Sequence, residues 1–156
     1  TDAITAWSGV QKVSDAAAHT VMEFSPAIAS NNGSFKLTAP NAADSTYGFT
    51  SKGTAPALAL ATGIASPHTA VLTMQADISA DVVSLAVNGG APVTNGADQG
   101  TGNFGNWSAY FGAANAGTAE FFNGNMYSSV CLGRAATADE LAKTQAWVAE
   151  KTGVTL

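Results

Sequence analysis

Charge is what this sequence has least of. Charged side chains make up 11% of its 156 residues, against the roughly 25% usual in soluble domains. The six Lys and Arg are scattered singly and the net charge is −5. A nucleic-acid footprint needs clustered cations to neutralise phosphates, so that partner class is not expected. Cysteine is nearly missing as well. Cys131 is alone, which excludes an intramolecular disulfide and, with no Cys/His cluster, a thiolate metal site; it reads as a small strand residue. No apolar run reaches the roughly 18 residues of a membrane span, and a secretory leader is not expected from the opening residues. Thr1 stands where an initiator Met would, as expected of a processed piece or a domain of something longer.

What remains is 46% hydrophobic, with 16 glycines and a surface that must be covered by Asn, Ser, Thr, Gly and Ala. The length predicts one domain, residues 1–156, able to bury roughly two-thirds of its unfolded surface without staples. Residues 1–19 read as a lead-in with one helical turn at most, since Trp7, Val10 and Val13 sit at helical spacing. Thr20 to Ser25 reads as a strand with Thr20, Met22 and Phe24 facing one way. Asn31-Asn32-Gly33 is a turn signal, and Ser34 to Thr38 returns. Thr46 to Thr50 and Pro56 to Ala61 are two more short strands. His68 to Ile78 alternates, with Leu72, Met74, Ala76 and Ile78 on one face and Val71, Thr73 and Gln75 on the other. Val82 to Val87 runs back with Val83, Leu85 and Val87 inward, predicting a hairpin. Trp107 to Gly112 is a further strand.

The last quarter changes period. Phe122, Met126, Val130 and Leu132 alternate with Asn123, Asn125, Tyr127, Ser129 and Cys131, the mark of a half-buried strand. Thr137-Ala138-Asp139-Glu140 then has the form of a capping box. Leu141, Thr144, Trp147 and Val148 follow on one stripe, and Gly153 is a natural stop, so residues 137–151 predict an amphipathic helix. Nine or ten short antiparallel strands and one terminal helix make an all-β sandwich of jelly-roll type.

Several of these segments carry a resemblance. Val87-Asn88-Gly89, Tyr110-Phe111-Gly112, Phe122-Asn123-Gly124-Asn125-Met126-Tyr127 and the Arg134…Thr137…Glu140 helix start resemble the concanavalin A-like lectin/glucanase (laminin G-like) jelly roll. The version they are most similar to is found in tail-fibre, spike and other surface proteins of bacteriophages and gene transfer agents. The resemblance covers residues 68–156, and residues 20–60 by strand pattern only. It implies a place on a virion surface, other virion proteins as neighbours, a homo-oligomeric or multi-chain spike, and cell-surface polysaccharide as partner.

Glucan-cleaving relatives resemble one another in an E-x-D-x-E strand, and hydrolysis needs two carboxylates about 5–10 Å apart. Only Glu23, Glu120, Glu140 and Glu150 are present; the last two read as helix residues, and neither of the first two has a carboxylate two or four residues away. No catalytic residue is therefore assigned. Ser14, Asp15 and His19 lack a nucleophile elbow, and His68 reads as a strand-edge residue. Lectin and laminin G relatives often hold calcium, and Asn95, Asp98, Asn103 and Asn106 are oxygen donors in one region. Calcium wants several carboxylates; Asp98 is the one there, so neither a tight calcium site nor any other cofactor is expected.

The glycine-rich stretch from Asn95 to Asn106, too flexible for regular structure, is the longest irregular segment and the expected place for a site. A sugar needs an aromatic plate with amide or carboxylate partners beside it. Asp98, Gln99, Asn103, Phe104, Asn106 and Trp107 supply these groups and are the candidate carbohydrate-binding residues. Three functions stay open: non-enzymatic recognition of host polysaccharide, a purely structural domain of a spike or fibre, and, distantly, glycan hydrolysis. If Phe104 and Trp107 only pack the sandwich edge, the structural reading gains.

Overall fold

The alternation of residues 68–87 folds as it reads. In a computed structural model describing residues 1–156, Leu72, Met74, Ala76, Ile78, Val83 and Leu85 lie in the main hydrophobic core. The strands are β1 (Ala3–Lys12), β2 (Thr20–Phe24), β3 (Ser34–Thr38), β4 (Tyr47–Lys52), β5 (Pro56–Ala61), β6 (His68–Asp77), β7 (Val82–Val87), β8 (Val93–Asn95), β9 (Ala109–Phe111) and β10 (Gly124–Leu132); one helix follows, α1 (Ala138–Thr152). Two antiparallel five-stranded sheets result: sheet A in the order β10-β1-β6-β7-β8, and sheet B in the order β5-β4-β3-β2-β9. Their inner faces share a core of 21 buried residues.

Residues 1–19 are not a lead-in. Residues 3–12 form β1, which lies between β10 and β6 inside sheet A. The helical spacing of Trp7, Val10 and Val13 was a coincidence of three positions. β1 is buried on both faces, so it shows no polar side: Ile4, Ala6 and Val10 join the sandwich core, while Trp7 joins a second cluster under α1. A strand covered twice loses its period-2 signature. β2 also differs from a plain alternation. Its register skips at Val21, so Thr20 pairs with Thr38 on the outer face while Met22 and Phe24 pair with Leu37 and Phe35 on the inner one.

The terminal strand and helix form as expected, with two differences. A bulge opposite Gly9 and Val10 splits the β10 face that reads as single. Val130 and Leu132 pack toward α1 in the second cluster, Phe122 packs against the main core, and Met126 and Cys131 are exposed on the edge strand. α1 carries the capping box, with Thr137 and Glu140 exchanging hydrogen bonds, and ends at Gly153 in the left-handed region. Its buried residues are Val148, Ala149 and Thr152, whereas Trp147 points outward at 46% exposure. The helix lies over β1, β6 and β10. At Gly9 the helix comes so close that a Cβ would collide with the Thr152 hydroxyl.

Candidate functional site

The loop end of the sandwich, the chain between β8 and β9, is irregular but stitched down. Gln99 accepts from the Ala55 N–H at 2.9 Å, Phe104 donates to Thr1 O at 2.8 Å and Gly105 donates to Gly33 O at 2.8 Å. Two of the six predicted residues serve the fold. Phe104 is buried in the main core, edge-on to Phe35 at 5.9 Å between centroids. Gln99 is fully buried; its amide donates to Asp77 O at 2.9 Å and Val82 O at 3.3 Å, and its backbone N–H to Asp81 Oδ1 at 2.8 Å. Asp98, Asn103 and Asn106 are exposed. The Trp107 indole is partly exposed, lies against Gly105 and donates Nε1–H to Asn32 O at 3.0 Å. Four of the six thus remain open to a ligand, and no cluster of three acidic, His or Cys side chains forms there or elsewhere.

Sequence reasoning missed a second region, the outer face of sheet B. A sandwich has two outer faces, and α1 lies over that of sheet A. Across sheet B, register aligns Tyr110, Glu23, Lys36, Thr50 and Leu58 in one row, on the side away from the core residues Phe35 and Phe49. Neighbouring strands are about 4.8 Å apart, so Tyr110 and Lys36 stand about 10 Å from one another. Lys36 Nζ meets Glu120 Oε2 at 3.0 Å, and the same oxygen accepts from the Thr20 hydroxyl at 2.7 Å. Glu120 reaches this position from the segment that returns from Ala114–Ala119, where its backbone sits at φ 48°. Non-glycine residues in the left-handed region are held there by their surroundings and cluster at ligand sites. Burial alone would push the Glu120 carboxyl up; the Thr20 hydroxyl, the Lys36 ammonium and nearby His19 outweigh it and hold it below its ordinary value.

The floor of this face is set by Glu23, fully buried, whose carboxylate accepts from Ile28 N at 2.6 Å and Asn115 N at 2.7 Å. It ties two rim segments, 26–31 and 113–119, to β2. Lys52 does the same from β4, donating to Ile28 O at 3.0 Å and Ala29 O at 2.8 Å. A signal for this face was present: Glu23 and Lys36 are single charges inside otherwise uncharged strands, at outward positions. Glu120 could not be placed, because its partner is 84 residues away.

A further polar cluster lies at the other end of the sandwich. Lys12, fully buried, donates to Asp15 at 2.7 Å and Thr46 O at 3.2 Å and lies 4.8 Å from the Tyr47 ring centroid. Asp15 also accepts from Ser66 N and Ser45 Oγ, and the Tyr47 hydroxyl meets His68 Nδ1 at 3.0 Å. Burial and then Lys12 hold the His68 imidazole below its ordinary value. These contacts pin three connections together. Ser14, Asp15 and His19 do not converge: Asp15 is committed to Lys12, and the His19 ring meets Phe121 O at 2.7 Å.

No protein-family model matches the chain, and no curated protein matches it. Solved structures do. The Ruminococcus gnavus IT-sialidase CBM40 superposes with a TM-score of 0.66 at 13% identity, over 92% of this chain and 83% of that one; it has also been solved bound to alpha2,3 sialyllactose. Mouse laminin alpha1 chain, domains LG4-5, gives 0.62 at 15% identity, over 83% of this chain and 34% of that one. Leech intramolecular trans-sialidase gives 0.66 at 14%, over 99% of this chain and 24% of that one. The chain therefore has the concanavalin A-like/laminin G-like jelly-roll fold, and spans about a third or less of the laminin fragment and the leech enzyme.

Proposed function

We propose that this domain binds glycans without cleaving them, through the outer face of sheet B. The observation that carries the reading is Glu120, held in a left-handed backbone so that its carboxylate sits on Lys36 and Thr20 beside the Tyr110 row. A carboxylate, an ammonium, hydroxyls and an aromatic ring are the groups that sugar hydroxyls and C–H faces require. The sialyllactose complex of a protein with the same fold supports the ligand class. Hydrolysis is disfavoured by the same geometry. A glycosidase needs two carboxyl groups facing one cleft, and Glu23, the other carboxylate of this face, is fully buried beneath the rim segments whose backbone N–H groups it accepts.

A second location for the same activity is the loop end, where the Trp107 plate stands with Asn103 and Asn106. The resemblance to phage and gene-transfer-agent surface proteins supports placing the domain on a virion spike, where repeated copies would raise a weak single-site affinity through effective concentration. An assembly role has one observation of its own. Phe111 and Phe121, at 56% and 62% exposure, flank the hydrogen bond from Phe122 N to Gly112 O on one side of the sandwich.

Binding of the intact chain to a glycan array, followed by titration of the best glycan, tests the reading. Lys36→Met is expected to weaken binding at least tenfold and Trp107→Ala to leave it within about twofold, a lost hydrogen bond to a charged group being worth about 1.5–3 kcal/mol. The reverse pattern moves the site to the loop end. Binding to no glycan at millimolar concentration overturns glycan recognition and leaves assembly, which Phe111→Ser with Phe121→Ser then tests by oligomeric state.

A further inference from the structure

We infer that the ligand of this face is an uncharged, hydroxyl-rich sugar, and that acidic sugars such as sialic acid are rejected; this rests on the glycan-binding reading above and narrows it. An acidic sugar needs a cation free to meet its carboxylate, because burying an unpaired carboxylate is costly.

This chain has six cations, and each already has a partner. Lys12 is buried against Asp15, and the exposed Lys143, Lys151 and Arg134 pair with Asp139, Glu150 and Glu140 on or beside α1, away from this face. On the sheet B face, Lys52 is buried against the carbonyls of Ile28 and Ala29. Lys36 is neutralised by Glu120. The charges of the face are then Lys36 and Lys52 against Glu23 and Glu120, inside a molecule of net charge −5. A carboxylate brought to Lys36 would have to displace Glu120 or sit beside it, and like charges at that separation repel.

A neutral sugar meets no such barrier. The Glu120 carboxylate keeps lone pairs open after Thr20 and Lys36 are satisfied, since two oxygens offer about four acceptor positions. Sugar hydroxyls donate to them while Lys36 donates to a ring or hydroxyl oxygen. Tyr110, two strands from Lys36 and partly exposed, is the aromatic ring of the row that C–H groups could pack against. On this inference the chain differs from the protein of the same fold solved bound to alpha2,3 sialyllactose.

The test uses an array of neutral oligosaccharides, each printed beside its sialylated or uronic-acid counterpart, lactose and 3′-sialyllactose among them. The expected result is binding to at least one neutral probe, with its acidic counterpart at least tenfold weaker. Glu120→Gln, which keeps the acceptor for Thr20 but frees the Lys36 charge, is expected to weaken the neutral probe and strengthen the acidic one, closing the gap by at least tenfold. A thermal melt of the variant establishes that it is folded. Acidic probes bound as well as neutral ones by the unaltered chain would overturn the charge preference and leave glycan binding standing. An unchanged gap in folded Glu120→Gln would overturn the role given to Glu120. Binding of no probe overturns both.

Discussion

The two outer faces of this sandwich are built from equal numbers of strands and do opposite things. On sheet A the helix seals the face over β1, β6 and β10: Trp7 and Val71 form a buried cluster with Val148 and Ala149 of α1, with no charged member. On sheet B the corresponding face carries Glu23, Lys36 and, from a neighbouring segment, Glu120. The inner faces meet in one core, to which sheet A contributes aliphatic residues and Met74 while sheet B adds the rings of Phe35, Tyr47 and Phe49. The contrast teaches that a helix covers one outer face, whereas on the other the cover is left to rim segments. Burial by α1 requires small, uncharged contacts such as Gly9, whereas the open face can keep charges because rim segments and ion pairs satisfy them.

The largest effect that would break this contrast is on the sealed side. Trp7 is fully buried between sheet A and α1, and its indole N–H has no partner. Trp7→Ala should cost about 3–5 kcal/mol of unfolding free energy, the usual range for emptying a buried aromatic site. Trp7→Phe should cost far less, because no hydrogen bond is lost. Urea denaturation of both variants checks this. A loss under about 1 kcal/mol for Trp7→Ala would mean that α1 contributes little to the stability of sheet A.

A smaller effect, of opposite sign, belongs to the open side. Ala116 lies on the 113–119 rim at φ 57° and is exposed. A non-glycine residue in the left-handed region costs roughly 1–2 kcal/mol. Ala116→Gly should therefore stabilise the domain by about 1 kcal/mol, read as a higher urea midpoint with unchanged slope. Asn115, at φ 50°, is a less informative site, because Asn tolerates this region better. Glycan affinity should not change with Ala116→Gly; if it drops, the rim conformation is part of the binding surface.

Much of this contrast is visible in the sequence, though unevenly. The β6–β7 hairpin and the capped helix are legible because each has one buried face, so hydrophobic period and burial coincide. β1 is hidden for the converse reason: Thr5, Ser8 and Gly9 are buried on a strand covered from both sides, and polarity there reports nothing about exposure. The loop end was legible as irregular chain and as a cluster of polar and aromatic residues. That Phe104 and Gln99 serve the core was not, since whether an aromatic ring turns inward depends on what lies across from it. The Lys36–Glu120 contact could not be read from one sequence. It depends on the chain leaving sheet B after β9 and returning beside Thr20, where Thr20 and Phe121 form a parallel bridge.

The two faces should also separate in acid. Glu140, at the start of α1, is held at about 2 by hydrogen bonds first from Arg134 and then from the Thr137 N–H, against an ordinary value of 4.5. Glu120 is lowered as well, by Thr20, Lys36 and His19 working against burial. For a carboxylate with a depressed folded value, the unfolded chain binds protons first as pH falls, so stability is present above the ordinary value and is lost between that value and the folded one. Both groups thus predict a molecule whose carboxylate-linked stability is flat above pH 4.5 and declines below it, toward pH 2 for Glu140. Glu140→Gln should flatten part of that decline and leave glycan affinity unchanged at every pH, because its partners lie on the sealed side. Glu120→Gln should flatten the other part and alter affinity already at pH 7. Urea midpoints and glycan titrations at pH 7, 4.5 and 3 decide between them: a Glu140→Gln variant that changes glycan binding would show that the two faces are not independent.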